Sequence, residues 1–346
     1  MRNLKTRTTD ARGFSLMEML ISSLVMLIVL GEAMTAFNHA VRANETVTLL
    51  ADSNQALRSG TQFLVRDLRQ AGWGSDAIRR GIPVPTGGGA VPINRPGPPS
   101  TSYTFDPTLG VIPAVAPGAS LGPAVSGDAT DIITIMYKDN TLPADDIAVT
   151  VADDGSTMTV PAGVQILEGD LILFTSSVGS AMQEVTRVDA GTVFFETTDP
   201  SKLNQRAAPA GTILQLQSTS GAWQVDPDTG EQIEPTATRV KMISYYLDDT
   251  TDPDAPRLVR QENYRTPRAM AGAMDDLQIT FDLVDGVTNP TNVANPTDPG
   301  PNQIRKVNLE VGVRSEHLSQ QQKKYVRNRV TTQVSLRSLA FVDRYE

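Results

Sequence analysis

The sequence predicts an α+β fold, one long N-terminal helix followed by antiparallel β-structure. Three observations predict it. An apolar stretch opens at Phe14, and helical spacing without a proline continues to Trp73. From Asp128 onward, short runs rich in β-branched residues alternate with Gly, Asp and Pro turns. Between them, residues 73–127 are too dense in Pro and Gly for a regular helix or ladder to be expected. The chain of 346 residues is long for one domain, and its 5% aromatics with 26 Gly and 23 Pro suit turn-rich β-structure. A net charge of -9 repels phosphate backbones, so direct nucleic-acid binding is not expected. With no cysteine, a disulfide framework and a thiolate metal site are excluded.

The helix is preceded by MRNLKTRTTDARG, in which Arg2, Lys5, Arg7 and Arg12 outweigh Asp10. A basic leader before an apolar run reads as membrane targeting with the basic side cytoplasmic. A secretory signal would place a small-residue cleavage site after the apolar core. Here Gly31-Glu32-Ala33-Met34 continues in helical character, so the segment is expected to be retained. Glu18 stands early in the apolar run, and a carboxylate at bilayer depth is costly enough to demand a role or a partner. The plainer alternative is a signal anchor that tolerates an acid near its cytoplasmic edge.

Beyond the apolar run, Met34, Phe37 and Val41 and then Leu50, Leu57, Leu64 and Leu68 keep helical spacing. The stripe predicts a helix over about 14–72, its first part (14–37) spanning a membrane or entering a filament core, its second part lying on a sheet. A coiled-coil seam is the alternative, disfavoured because no strict seven-residue period holds. Gly31 and Gly60 are expected as tolerated glycines, and Gly72-Trp73-Gly74 as the stop. The remainder divides into a Pro/Gly-rich connector over 73–127, an inserted β-rich subdomain over 128–220 forming a meander or small barrel, and a C-terminal β domain over 237–346. TNPTNVANPTDPGPNQ is expected as a mobile loop between the last strands.

No catalytic constellation is legible. His39 and His317 have no spaced partner for zinc, no G-x-S-x-G elbow occurs, and Gly87-Gly88-Gly89 lacks the Lys-Ser/Thr of a phosphate loop. No enzyme activity and no cofactor are expected. Two acidic turns, Asp248-Asp249 with Asp252 and Asp254, and Asp226 and Asp228 with Glu231, have the oxygen ligands that calcium takes, with the first favoured. Neither follows the EF-hand order, and solvated turn residues are the plainer reading.

Gly13-Phe14-Ser15-Leu16-Met17-Glu18 resembles the cleavage motif of type IV prepilins. The order of long helix, β insertion, YYLD, LVRQ, LQITF, VNLEVGVRS and TTQVSLRS is similar to PilW-type minor pilins and to J-type pseudopilins of type II secretion. The resemblance implies a type IV pilin-like fold. It implies cleavage by a prepilin peptidase between Gly13 and Phe14, N-methylation of Phe14, and a role for Glu18 in assembly. Loss of the leader's four basic residues and one acid would take the net charge from -9 to -12. The expected partners are the inner membrane before assembly, other minor and major pilins, and a tip adhesin. The expected location is the inner membrane with the β domains in the periplasm, then a pilus or pseudopilus. The function implied is a minor pilin at the initiation or tip of a filament. A secretion pseudopilin and a single-pass anchored binding module that does not polymerise remain as alternatives.

Overall fold

The computed structural model describes residues 14–99, 101–140, 147–206, 210–217, 223, 235–297, 300–319 and 323–339. Helix α1 (Leu16–Gln70) runs for 55 residues, about 80 Å at ~1.5 Å per residue. Ser15 caps it in extended backbone, and the chain leaves it at Gly72, whose φ of +72° is a left-handed turn that favours glycine. A Cβ on Gly72 would also meet Leu339 Cδ2 at 2.7 Å, so the helix end abuts the last described turn of the chain.

The two parts of α1 have opposite surroundings. Apolar residues such as Leu24, Leu30, Phe37 and Val41 stand exposed. From Ser53 the stripe turns inward, and Leu57, Leu64 and Leu68 are buried with Gly60 between them. Gly60 is more than tolerated: a Cβ there would lie 2.9 Å from Leu258 Cδ2 and 3.2 Å from the Ala271 Cβ, so its absence lets the helix approach the sheet. At Gly31 a Cβ would meet nothing within 4 Å.

The β-structure forms three principal antiparallel sheets. The strands are β1 (Val115–Ala116), β2 (Ile133–Lys138), β3 (Ile147–Ala148), β4 (Thr150–Val151), β5 (Thr157–Thr159), β6 (Leu171–Ser176), β7 (Gly179–Glu184), β8 (Arg187–Asp189), β9 (Thr192–Phe194), β10 (Thr236–Asp248), β11 (Arg257–Glu262), β12 (Arg268–Ala271), β13 (Met274–Leu283), β14 (Ile304–Leu318) and β15 (Tyr325–Ser335). The eight-stranded sheet is organised on β10, which pairs with β2, β3, β6 and β11; β1, β7 and β12 extend it. β4, β5, β9 and β8 make a four-stranded sheet over a separate core of Met158, Ile172, Phe174, Val193 and Phe195. β13, β14 and β15 make the sheet on which α1 lies, with Val307, Leu309, Val311 and Val313 opposite Phe281, Ile279, Leu277 and Met274. That period-2 alternation is the one legible in the sequence. The molecule is therefore α+β, a long apolar N-terminal helix packed by its second part against antiparallel sheets.

Three expectations need correction. The segment 73–127 is not an extended connector. Ile78, Ile82, Ile93, Ile112 and Val115 from it enter the same core as Leu64 and Leu68, it holds a short helix (Asp76–Arg80), and β1 joins the large sheet. Buried Arg95 secures it, donating to Thr134 Oγ1 (3.0 Å), Ala116 O (2.7 Å), Pro117 O (2.5 Å) and Ile132 O (3.0 Å). Gly118 makes room, since a Cβ there would sit 2.7 Å from Arg95 Nη1. Nor do 128–220 and 237–346 form separate units, because β2, β6 and β7 are sheet partners of β10 or of one another. The loop after β13 is also tied down over its described first part: Asp285 accepts from the backbone of Val287, Thr288 and Asn289, and Phe281 pairs with Val293.

The eight-stranded and three-stranded sheets meet at Asp131, just before β2. Its backbone N–H donates to Leu277 O (2.9 Å), and its carboxylate accepts from Ile279 N (2.6 Å) and Ser120 N (2.7 Å). Burial pushes this carboxyl above its ordinary range, and the two backbone donors oppose that shift.

Candidate functional site

Phe14 and Glu18 lie at the head of α1, and Gly13 with the rest of 1–13 lies outside the described residues. Phe14 is 82% exposed in the isolated chain. Ser15 Oγ accepts from Met17 N at 3.3 Å, and Ser15 N donates to Glu18 Oε2 at 3.0 Å, a reciprocal capping box. Glu18 therefore has a definite local role. It satisfies an orphan N–H and places negative charge on the positive end of the helix. The carboxylate thus sits one turn from Phe14, within the region a cut after Gly13 would expose. Following it, the apolar part of α1 is long and apolar enough by length and composition to cross a membrane, and its most apolar 18-residue window is 0% buried.

At the far end of α1 stands a site that motif reading missed. Asp67 is 1% exposed and accepts from Arg260 Nε and the Tyr245 hydroxyl, each at 2.8 Å, both on its Oδ2. From there an ionic ladder crosses the sheet. Arg260 meets Glu262 (3.3 Å), Glu262 meets Lys241 (3.8 Å), and Lys241 meets Asp139 (3.5 Å). Asp139 meets Arg239 (2.8 Å), Arg239 meets Asp170 (3.2 Å), and Asp170 meets Arg265 (2.6 Å). Burial alone would lower the Arg260 guanidinium, but the hydrogen bond and charge of Asp67 more than reverse it, so its pKa is raised. Burial, with Asp67 nearby, pushes the Tyr137 hydroxyl up to about 12 and the Tyr245 hydroxyl higher still. A signal did exist: Asp67 falls three residues after Leu64 and seven after Gly60, on the buried stripe where an acid needs a partner. Its partner, about two hundred residues away in the chain, carried no such signal.

A second buried polar group lies under the 73–127 segment. Glu184 Oε2 accepts from Ser201 N (3.0 Å), and Asp199 accepts from Ser201 Oγ (2.6 Å) and Leu203 N (2.6 Å). Burial, reinforced by Asp199, raises the Glu184 carboxyl; burial lowers the Arg95 guanidinium to about 9.

Of the calcium candidates, those among the described residues engage locally in their own turns. Asp248 Oδ1 accepts from Thr250 N and Thr250 Oγ1, and Asp252 Oδ1 accepts from Asp254 N, so two of the four carboxylates close local turns. Asp249 is turn-borne like them, and Asp226, Asp228 and Glu231 lie outside the described residues. Among the described residues no group of three or more His, Asp or Glu is placed to hold a metal ion. His39 is exposed on α1, and His317 is exposed at the end of β14. No family model, curated protein or solved structure matches this chain.

Proposed function

We propose that this chain is a pilin-like subunit of the PilW type, a minor pilin acting at the initiation or tip of a type IV filament. In this reading it is held in the inner membrane by the apolar part of α1, with its sheets in the periplasm. A prepilin peptidase cuts after Gly13, and Phe14 becomes the methylated N-terminus. The observation that carries the reading is the contrast within α1: a naked apolar half that begins at Phe14 and Glu18, continuous with a half locked to the sheets. A rigid rod of this kind buries its apolar half in lipid or among like helices. Because lipid is itself apolar, packing and the pairing of Glu18 with a neighbour's free amino group would select the filament. Other minor and major pilins, and an adhesin at the tip, are the partners this implies.

The test is the mass of the N-terminal peptide of the membrane-bound protein, with and without the host's prepilin peptidase. A methylated Phe14 terminus that disappears without the peptidase is expected; an uncut leader or a cut elsewhere overturns the reading. The capping box gives Glu18 a purely local alternative role, which an anchored, non-polymerising module would also use. Glu18→Ala distinguishes the two: the pilin reading expects membrane insertion to persist while incorporation into filaments falls, and the anchor reading expects no change in partners.

A further inference from the structure

The outward face of the packed half of α1 is basic. Between Ser53 and Gln70, the residues Gln55, Arg58, Gln62, Arg66 and Arg69 recur at intervals of three and four, so they share one stripe opposite the buried Leu57, Leu64 and Leu68. All five are exposed, the Arg66 side chain by 57%. The acid in that stretch, Asp67, is buried and committed to Arg260 and Tyr245. Arg66 reaches Asp67 Oδ1 (3.3 Å) and lies over the Phe63 ring, whereas Arg58 and Arg69 form no ion pair among the described residues. In a chain of net charge -9, a helix face with three cations and no exposed acid complements a negative surface.

The same chain carries such a surface. Two adjoining cavities, of about 290 and 620 Å3, open beside α1 at Asp52 and Ser53, and both are lined by Gly272, Ala273 and Glu316. Asp52 lines the first, and Asp252 and Asp254 line the second. Of the cations on these walls, Arg314 is already engaged: it donates to Asp254 O (3.0 Å) and meets Asp275 (3.9 Å). That leaves Arg257 and His317 among four carboxylates. At ~100° per residue, Asp52 stands about 80° around α1 from Gln62, so the basic stripe and the acid-lined groove are separate faces of one molecule. The groove also lies about ten residues, or ~15 Å, nearer the N-terminus of the helix.

We infer that the basic face of α1, through Arg58, Arg66 and Arg69, docks against the acid-lined groove at Asp52, Asp252, Asp254 and Glu316 of a second copy of this chain. The two copies run parallel, offset by ~15 Å along α1. Without that offset each stripe would meet its own cations and repel. Because the two faces differ, one copy offers its stripe to one neighbour and its groove to another, a heterologous contact that adds copies along a line rather than closing a pair. The setting of this contact rests on the proposed filament: copies anchored in one bilayer share a depth, and the offset arises when one is drawn up past the other.

The absence of native cysteine makes cross-linking a clean test. Two full-length variants, Gln62→Cys and His317→Cys, are mixed in detergent, where no bilayer fixes their depth, and treated with a short bismaleimide. A 62–317 adduct in excess of the 62–62 and 317–317 adducts is expected. Adding Arg58→Glu/Arg69→Glu to the first variant is expected to lower its yield about tenfold, since attractive pairs become repulsive, and adding Asp52→Arg/Glu316→Arg to the second is expected to restore it. Denaturation curves matching the parent show that each variant is folded. No adduct, equal yields of all three adducts, or a 62–317 adduct indifferent to the reversals overturns the contact. The N-terminal peptide mass separates this from the pilin reading: methylated Phe14 without the 62–317 adduct overturns the contact alone, and the adduct with an uncut leader supports the contact while overturning the filament as its setting.

Discussion

At the residue scale, the buried carboxylate of Asp67 is the side chain on which most depends, because it is the point where helix and sheet share charge. It has two donors on one oxygen, Arg260 and Tyr245, and removing it would leave the buried Tyr245 hydroxyl without its acceptor and the half-buried Arg260 cation with Glu262 as its remaining carboxylate. Asp67→Ala is expected to destabilise the fold by about 3–5 kcal/mol, measured by chemical denaturation of the full chain in detergent. A different sign applies to Glu184. Its folded-state pKa is raised by burial, so between the unfolded and folded values the native state holds more protons and stability falls as pH rises through that window. Glu184→Gln keeps an acceptor for Ser201 N without the charge. Its stability relative to the parent is expected to increase as pH rises upward from the ordinary carboxylate range, checked by paired denaturation curves across pH; a flat difference would refute it. Of these residues, only Glu18 and the acids of the turn after β10 stood out in the sequence. Asp67 lies on a stripe that could be read, but Arg260 and Glu184 are ordinary members of β-segments until the fold brings their partners.

At the element scale, α1 is the clearest case of a pattern that was legible and yet incompletely so. The spacing of Leu57, Leu64 and Leu68 identified the face that is buried, because a helix repeats every 3.6 residues wherever it is placed. Gly60 on that face looked interchangeable with Gly31, since a glycine's local cost is the same at both. The structure separates them. Gly60→Ala would bring a methyl to 2.9 Å from Leu258 Cδ2, and the overpacking is expected to exceed the gain in helix propensity, with a net loss of about 1 kcal/mol. Gly31→Ala meets open space and is expected to leave the sheet domain's stability unchanged. Denaturation midpoints of the two variants, compared side by side, decide this. The long strands β10 and β14 were also legible as strands, but β10 pairs with four others, and the sequence names none of them.

For the whole molecule, the division into a free apolar helix half and a packed remainder makes a direct prediction. No described residue before Ser53 is buried, so a chain beginning at Arg42 retains every buried contact of α1. That truncated chain is expected to be soluble and to unfold with a stability within about 0.5 kcal/mol of the full chain in detergent. Loss of the cooperative transition would show that the apolar half contributes to the fold as well as to anchoring. The segment 73–127 should behave in the opposite way. It supplies Ile78, Ile82 and Val115 to the main core and is held by Arg95, so cleavage within it is expected to unfold the large sheet rather than release a linker.

Periodicity and composition alone were enough for the helix and its two-part character, for the place of Glu18 at its head, and for the many short antiparallel strands. These are local properties, written within a few turns or a few residues. Which strands share a sheet, that the Pro- and Gly-rich segment is core rather than connector, and that Asp67 begins an ionic ladder across the sheet emerged from the fold and not before it. Those depend on pairing between distant residues, where proline and glycine deny regular hydrogen bonding along the chain yet leave apolar side chains free to be buried by whatever closes over them.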